Sequence, residues 1–316
     1  LLLENIHADG AEFLRHKGYQ VVELDHALGE DELIEMIGDV HVLGIRSTTY
    51  ITERVLEHAP NLLAIGAFCI GTNQIDLAAA SRHGIAIFNA PYSNTRSVVE
   101  LAIAEIISLA RRLHEKSTDM HNGVWNKSAA GSHEVRGRTL GIVGYGNIGS
   151  QLSVVAEALG LSVIFYDLDD KLALGNARKC ATLDELLETA DVVSLHVDGR
   201  PGNAGLFGDA EMAKMKPRAL FLNLSRGIAV DTAALRKHLE SGHIAGAALD
   251  VFPVEPKAQG TPFVSELRGI PNVILTPHVG GSTQEAQKDI GRFVAAKLRA
   301  FTKSGSTSLA VNFPEL

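Results

Sequence analysis

Three residues in the C-terminal half of the chain have types that suit one reaction: Arg226, Glu255 and His278. Arg226 ends the run Asn223-Leu224-Ser225-Arg226-Gly227. Glu255 follows Ala248-Leu249-Asp250-Val251-Phe252 by a short loop. His278 ends Leu275-Thr276-Pro277-His278, ahead of Gly280-Gly281. Each sits at the end of an apolar run that reads as a strand, where α/β ligand sites form. An imidazole titrates near neutrality, so His278 is suited to taking a hydroxyl proton. A carboxylate beside it favours its charged form and holds the ring. A guanidinium grips a carboxylate through two parallel hydrogen bonds and polarises a neighbouring oxygen. The three together suit hydride transfer from a 2-hydroxy acid. None is specific alone. The chain has 13 histidines, a lone Arg after a strand is commonly an ion-pair partner, and Glu255 reads equally as a solvated loop residue. Their joint placement after a nucleotide-binding loop carries the weight.

That loop is Gly144-Tyr145-Gly146-Asn147-Ile148-Gly149. A short apolar strand, Gly137 to Val143, leads into it, and a helical run from Ile148 to Leu159 follows. Strand, G-x-G-x-x-G and helix form the context that a dinucleotide fingerprint requires. Gly144 permits the tight turn, Gly146 lets backbone approach a pyrophosphate, and Gly149 lets the helix pack on the strand. The helix start offers free N–H groups and the positive end of its dipole to phosphate. Asp167 closes the next strand, Val163 to Tyr166, where a carboxylate binds a ribose 2'-hydroxyl and repels a 2'-phosphate. Asp169 and Asp170 add to that repulsion, and no Arg adjoins them in sequence. NAD is therefore expected over NADP.

The fingerprint lies far from the N-terminus, behind more than a hundred residues of other alternating pattern. Apolar runs Leu1–Leu3, Val21–Leu24, Val42–Ile45, Leu63–Ile65 and Ile85–Phe88 read as strands. Helical stretches at Asp31–Ile37, Thr52–His58 and Asp76–His83 lie between them. Five βα units of this kind make a small doubly wound parallel sheet. Asn89 to Asn94 reads as a linker. A long buried helix follows, with Ser97 and Glu100 spelling a capping box. Residues 119–132 hold the only Trp, Trp125, and read as an excursion that touches another subunit. A second series has strands at Leu140–Val143, Val163–Tyr166, Val192–Leu195, Leu220–Asn223, Ala245–Asp250 and Val273–Leu275. A final helix runs from about Gln284 to Phe301.

At 316 residues the chain suggests about two domains. A formal net charge of -8 argues against nucleic acid as the main partner. No apolar run is long enough for a membrane span. The opening leucines lack a basic n-region and read as a strand rather than a signal peptide. Two cysteines, Cys69 and Cys180, build neither a disulfide framework nor a metal cage, so no metal is expected and a reducing cytoplasm fits. Cys69 reads as packing.

The fingerprint, the Ser225-Arg226-Gly227 turn, Asp250 to Pro256, and Thr276 to Thr283 together resemble the D-isomer-specific 2-hydroxyacid dehydrogenase family. Arg46 to Thr49, Ala67 to Asp76, Asn89 to Glu100, Trp125-Asn126-Lys127 and Gly280 to Gln287 extend the likeness over essentially the whole chain. The last two segments favour members that act on a phosphorylated 2-hydroxy acid. The resemblance implies an α/β fold of two doubly wound parallel-sheet domains. A Rossmann NAD domain, 91–282, is inserted into a discontinuous flavodoxin-like substrate domain, 1–90 plus 283–316. The active site is expected in the cleft between them, with hinges at Asn89–Asn94 and Gly280–Thr283.

By the same resemblance Arg226 binds the substrate carboxylate, His278 is the base and Glu255 supports it. Arg46, Ser47 and Asn94 line the substrate site. Gly144, Gly146, Asn147, Ile148, Gly149, Asp167 and Asp250 serve the cofactor. Arg46 and Lys127 are cationic partners for a phosphate or second carboxylate, although Lys127 reads equally as a solvated loop lysine. Gln287 is a weaker candidate. A homodimer or higher homo-oligomer, formed through the NAD domain, is expected. Two departures stand out. After His196-Val197 the family usually has Pro, whereas this chain reads Asp198-Gly199-Arg200-Pro201-Gly202-Asn203-Ala204-Gly205, so no cofactor contact is assigned to that loop. Relatives also continue past Pro314 into a small regulatory domain that binds serine, so such feedback is not expected within these residues. Other reductases of the family stay open as alternatives, as does an NAD-sensing corepressor-like binding protein.

Overall fold

The computed structural model describes residues 1–256 and 260–314. The chain divides into two compact units, Leu1–Asn94 with Ser282–Leu316, and Thr95–Gly281.

In the first unit, strands β1 (Val42–Ile45), β2 (Ala64–Ala67) and β3 (Ala86–Phe88) form a parallel sheet in that order. The two runs read as strands ahead of β1 appear only as single bridges, from Leu2 to Glu23 and to Gly44. Glu4 and Asn5 take left-handed φ of 63° and 51°, which ends the extended run at Leu3. Counting those bridges, the order across the sheet is 2-1-3-4-5, as in flavodoxin-like folds.

Side chains alternate between two cores. Leu43, Ile45 and Ile65 face one, while Val42, Ala64 and Phe88 face the other with Ile290, Val294 and Leu298. The last three belong to the helix Gln284–Ser304, whose buried positions Ala286, Ile290, Gly291, Val294, Ala295 and Leu298 recur at helical spacing. This helix lies so close on β2 that a Cβ at Gly66 would sit 2.6 Å from Val294 and 2.8 Å from Leu298. That packing assigns the C-terminal helix to the first unit.

The second unit holds seven parallel strands: β4 (Thr139–Val143), β5 (Ser162–Tyr166), β6 (Arg178–Lys179), β7 (Val192–Leu195), β8 (Ala219–Asn223), β9 (Ile244–Leu249) and β10 (Val273–Leu275). Their order is β10-β9-β8-β7-β4-β5-β6. This is the dinucleotide-fold order 3-2-1-4-5-6 with one further strand. β6 has two exposed residues and no apolar pattern to announce it. The direction of winding reverses beside β4, so the loop after it opens at the switch point.

The long helix begins at Thr95, two residues before the capping-box position, and runs to Arg111. Glu100, which would close the box, instead takes Arg96 Nε at 2.6 Å one turn away. Thr95 itself is buried, so the first turn is held by packing. The excursion begins at Asn122 rather than 119, because the helix Leu113–His121 continues through that stretch. Trp125 beyond it is 78% exposed. No described helix is long and apolar enough to cross a membrane.

Helix Thr95–Arg111 packs on β8, β9 and β10 and on the helix Asn147–Ala158, and buries Glu105 in that contact. Both carboxylate oxygens of Glu105 lack a hydrogen-bond partner among the described residues. Burial first, and the Asp250 charge second, push its pKa up to about 8.

Two predictions follow from these contacts. Gly66→Ala presses a methyl into the C-terminal helix and should cost about 1–3 kcal/mol in urea unfolding. Glu105 holds its proton in the folded chain up to about 8 but loses it near 4.5 when unfolded. Stability should therefore fall as pH rises between those values, by a few kcal/mol in order of magnitude. Glu105→Gln should remove that loss, so its gain in Tm over the parent should be larger at pH 8 than at pH 5.

Candidate active site

The fingerprint residues lie between β4 and the helix Asn147–Ala158, and their geometry explains each glycine. Gly144 has φ 93°, and a Cβ there would stand 2.7 Å from the His196 carbonyl at the end of β7. A Cβ on Gly149 would meet the Gly144 carbonyl at 2.3 Å. Gly146 faces open space and caps the helix without a side chain. The amides of Asn147, Ile148 and Gly149 in the first turn are thus turned to an uncrowded surface, which fits a pyrophosphate.

Tyr145 anchors the loop from inside. Its ring stacks on Phe165 with centroids 3.7 Å apart, and its hydroxyl meets Ser153 Oγ at 2.7 Å. Asp167, just past β5, accepts the Tyr145 N–H at 2.7 Å and the Asp169 N–H at 2.9 Å. The acidic residue is thereby fixed against the nucleotide loop. Its charged surroundings are more mixed than the local sequence suggests. Asp169 pairs with Lys171 and Asp170 with Lys179, each at 3.0 Å.

Arg226 follows β8, Glu255 follows β9 and His278 follows β10, three adjacent strands of one sheet. Gly227 lets the first two loops touch: a Cβ there would lie 1.9 Å from the Phe252 carbonyl carbon. Glu255 Oε1 accepts the Phe252 N–H at 3.1 Å, and Oε2 meets His278 Nδ1 at 2.9 Å. With Nδ1 so engaged, Nε2 is the ring atom left to exchange a proton. The hydrogen bond to Glu255 raises the His278 pKa above its ordinary value, burial opposes this, and the Glu255 and Asp250 charges add to the rise. At Glu255 burial pushes upward, but the bonds from His278 and Phe252 outweigh it, and its pKa falls.

His278 has a left-handed φ of 53°, unusual for a residue with a side chain. Asp250 holds it there. This carboxylate is 3% exposed and accepts Thr276 Oγ at 2.6 Å, Val279 N–H at 2.8 Å and Gly280 N–H at 2.7 Å. Asp250 was expected among the cofactor residues; its described partners make it the strap of the His278 loop.

Arg226 Nη1 donates to its neighbour's carbonyl, Ser225 O, at 2.7 Å. The unusual loop after His196 lies beside it: a Cβ on Gly199 would be 3.4–3.6 Å from the Arg226 side chain. Asp198 holds that loop by pairing with Arg200 and by accepting Asn203 Nδ2 at 2.9 Å.

In the first unit, Arg46 and Ser47 follow β1, at the carboxyl end of that sheet. Glu4 shapes their turn by accepting the N–H groups of Arg46, Thr48 and Thr49 at 2.9–3.1 Å. Gln74 Nε2 donates to the Arg46 carbonyl at 2.6 Å. Neither Glu4 nor Gln74 carries a sequence signal for this task, because each acts on backbone far along the chain. Cys69 is half-buried and bonds the Gly71 carbonyl at 3.1 Å, so it does more than fill space. Asn94 is half-buried at the end of the first unit's N-terminal segment, and Gln287 lies in the first turn of the C-terminal helix. Lys127 is exposed on the irregular stretch after Asn122. No cluster of metal-ligating side chains occurs among the described residues.

A family model described as D-isomer specific 2-hydroxyacid dehydrogenase, NAD binding domain, matches residues 103–280. The D-3-phosphoglycerate dehydrogenase of Haemophilus influenzae is 52% identical over all of this chain and 77% of its own length. D-3-phosphoglycerate dehydrogenase 2 of Saccharomyces cerevisiae is 52% identical over all of this chain and 69% of its own. The structure of D-lactate dehydrogenase from Aquifex aeolicus, complexed with NAD and lactic acid, superposes with a TM-score of 0.84 at 25% identity, covering 99% of each chain. The chain belongs to the D-isomer-specific 2-hydroxyacid dehydrogenase family and is an NAD-dependent oxidoreductase.

Proposed function

We propose that this protein oxidises 3-phospho-D-glycerate to 3-phosphohydroxypyruvate with NAD, the first step of the phosphorylated route to L-serine. Reduction of 2-oxoglutarate to 2-hydroxyglutarate is proposed as a second activity. The observation that carries the chemistry is the Glu255–His278 hydrogen bond at 2.9 Å, which leaves Nε2 as a base. The choice of substrate rests on relatives of that name, 52% identical over the whole chain.

In this reading the second unit is the NAD domain and the first is the substrate domain. NAD, when bound, supplies the nicotinamide that accepts the hydride. The first-turn amides of Asn147 to Gly149 hold pyrophosphate, and Asp167 takes the ribose hydroxyls. Asp250 acts on the cofactor side through the loop it straps. His278 Nε2 takes the C2 hydroxyl proton as the C2–H bond breaks and the C2–O bond becomes a carbonyl. Arg226 grips the substrate carboxylate and stabilises charge on the C2 oxygen. Glu255 orients the imidazole and stabilises the imidazolium. Arg46, Ser47 and Asn94, with Lys127, meet the remaining acidic groups of the substrate. The protein works in the cytoplasm as a homodimer or higher homo-oligomer, with no nucleic-acid partner.

His278→Ala should lose about 10²–10⁴ in turnover while NADH still binds. Near-normal turnover would sink the assignment. Phosphohydroxypyruvate, 2-oxoglutarate and glyoxylate assayed side by side should give the highest kcat/KM with the phosphorylated acid. A preference for glyoxylate would mark another reductase of the family, and no turnover of any would mark an NAD-sensing binding protein.

The pH profile tests Glu255. A protonated His278 takes no proton, so oxidation should decline as pH falls through its pKa, which the carboxylate holds above the ordinary 6.5. Glu255→Gln removes that support. The acid limb of kcat/KM for oxidation should move to lower pH, with a loss in kcat of about tenfold or more. A limb that stays in place would show that Glu255 does not act on the base.

A further inference from the structure

The seven-stranded sheet has a second end, and it carries a cavity of about 500 Å³. Its walls come from segments that enter the strands: Arg218 ahead of β8, the turn into β9 at Gly242, and the approach to β10 from Arg268 to Pro271. Arg112, just past the helix Thr95–Arg111, and Arg236, of the helix Thr232–Glu240, complete the lining. Four guanidiniums therefore line one concavity, with no lysine among its described lining residues, on a chain of formal net charge -8.

Local carboxylates, Glu240 and Glu266 of the lining among them, offset only part of this group. Glu240 is taken by Arg236 at 2.7 Å, and Glu266 accepts the Thr232 hydroxyl. Arg112 pairs with Glu115 at 2.7 Å. Arg218 and Arg268 have no carboxylate partner among the described residues. They donate only to main-chain carbonyls, of Gly242 at 3.5 Å and Phe263 at 3.1 Å. Arg218 and Arg268 are exposed at the cavity wall, so their forks are open to an anion from solvent. The backbone is strained here too. Arg112 and Arg218 have left-handed φ of 52° and 70°, and Asn272, next to the lining residue Pro271, has 54°. Such outliers gather where a structure holds side chains for a task.

We propose that this cavity is a binding site for a small polyvalent anion, a metabolite bearing phosphate or several carboxylates. Its volume is that of a small-molecule pocket. Guanidinium forks match both phosphate and carboxylate through paired hydrogen bonds. The site lies where strands begin, whereas the nucleotide loop and the triad lie where they end, roughly 17 Å of strand away. A ligand held there touches no reacting atom, so it acts on stability or regulation rather than on the chemistry.

The test is calorimetric titration of the whole chain with inorganic pyrophosphate and, separately, with citrate, at fixed ionic strength and with NADH present. The expected result is saturable binding of at least one of them. Arg218→Gln combined with Arg268→Gln should weaken it by about tenfold or more, with kcat and a cooperative melt unchanged. Pyrophosphate alone would define a phosphate site, and citrate alone a carboxylate site. If the double variant fails to fold, Arg218→Lys and Arg268→Lys taken singly keep the charge but lose the fork, and should still weaken binding. No saturable binding up to about 10 mM, a level too weak to matter against typical metabolite affinities, would overturn the proposal. So would equal affinity in parent and folded variants.

Discussion

The buried carboxylate of Asp250 is the interaction on which the geometry of the His278 loop depends. It stands just past β9 and gathers three donors from the loop after β10. A buried charge is tolerable only when its hydrogen bonds are made, and here they are. The strap fixes the residues on both sides of His278, whose left-handed backbone would otherwise relax at a gain of about 1–3 kcal/mol. Gly280 is required for the closeness: a Cβ there would stand 2.9 Å from Asp250 Oδ2. Glu105 bears on the same site from the long helix. Burial first, and the Asp250 charge second, push Glu105 toward its protonated form.

The parallel topology does the remaining work of assembly. In a doubly wound sheet every strand delivers its carboxyl end to the same edge, so residues far apart in sequence meet without long loops. β8, β9 and β10 are neighbours, and their next residues are those of the Arg226, Glu255 and His278 loops. Gly227 then removes the side chain that would hold the first two loops apart. The same topology leaves the opposite edge to the segments that enter the strands, which is where the four arginines collect.

Much of this was legible because period and punctuation were strong. The strands of the second unit are short apolar runs, and the fingerprint announces the β4 loop by its glycines. The fold failed to show where its signal is not periodic. Leu1–Leu3 looks like a strand, yet two left-handed residues cut it to a bridge. Ser97 and Glu100 look like a cap, yet Arg96 competes for the same carboxylate. The candidate site residues read from sequence are those whose own side-chain chemistry suggests a role. Glu4, Gln74 and Glu105 were silent because their importance lies in what tertiary structure places beside them. Asp250 reads from sequence as a cofactor residue, and its hold on the His278 loop was not legible there.

In the proposed mechanism, the charges around His278 give each member of the triad a task. On that proposal Arg226 polarises the substrate oxygen, and its positive charge lowers the His278 pKa. Burial lowers it further. Without compensation the ring would be a weaker base, and the imidazolium of the proposed step would be poorly supported. Glu255 answers both effects through one hydrogen bond, and the Asp250 charge adds to it. The cost falls on Glu255, whose pKa burial pushes upward. It stays ionised because His278 and the Phe252 N–H both donate to it. His278 and Glu255 therefore each favour the other's charged form, which the proposed reaction would use. An uncharged amide at position 255 could keep the geometry of the hydrogen bond, but it could not supply the charge that offsets Arg226.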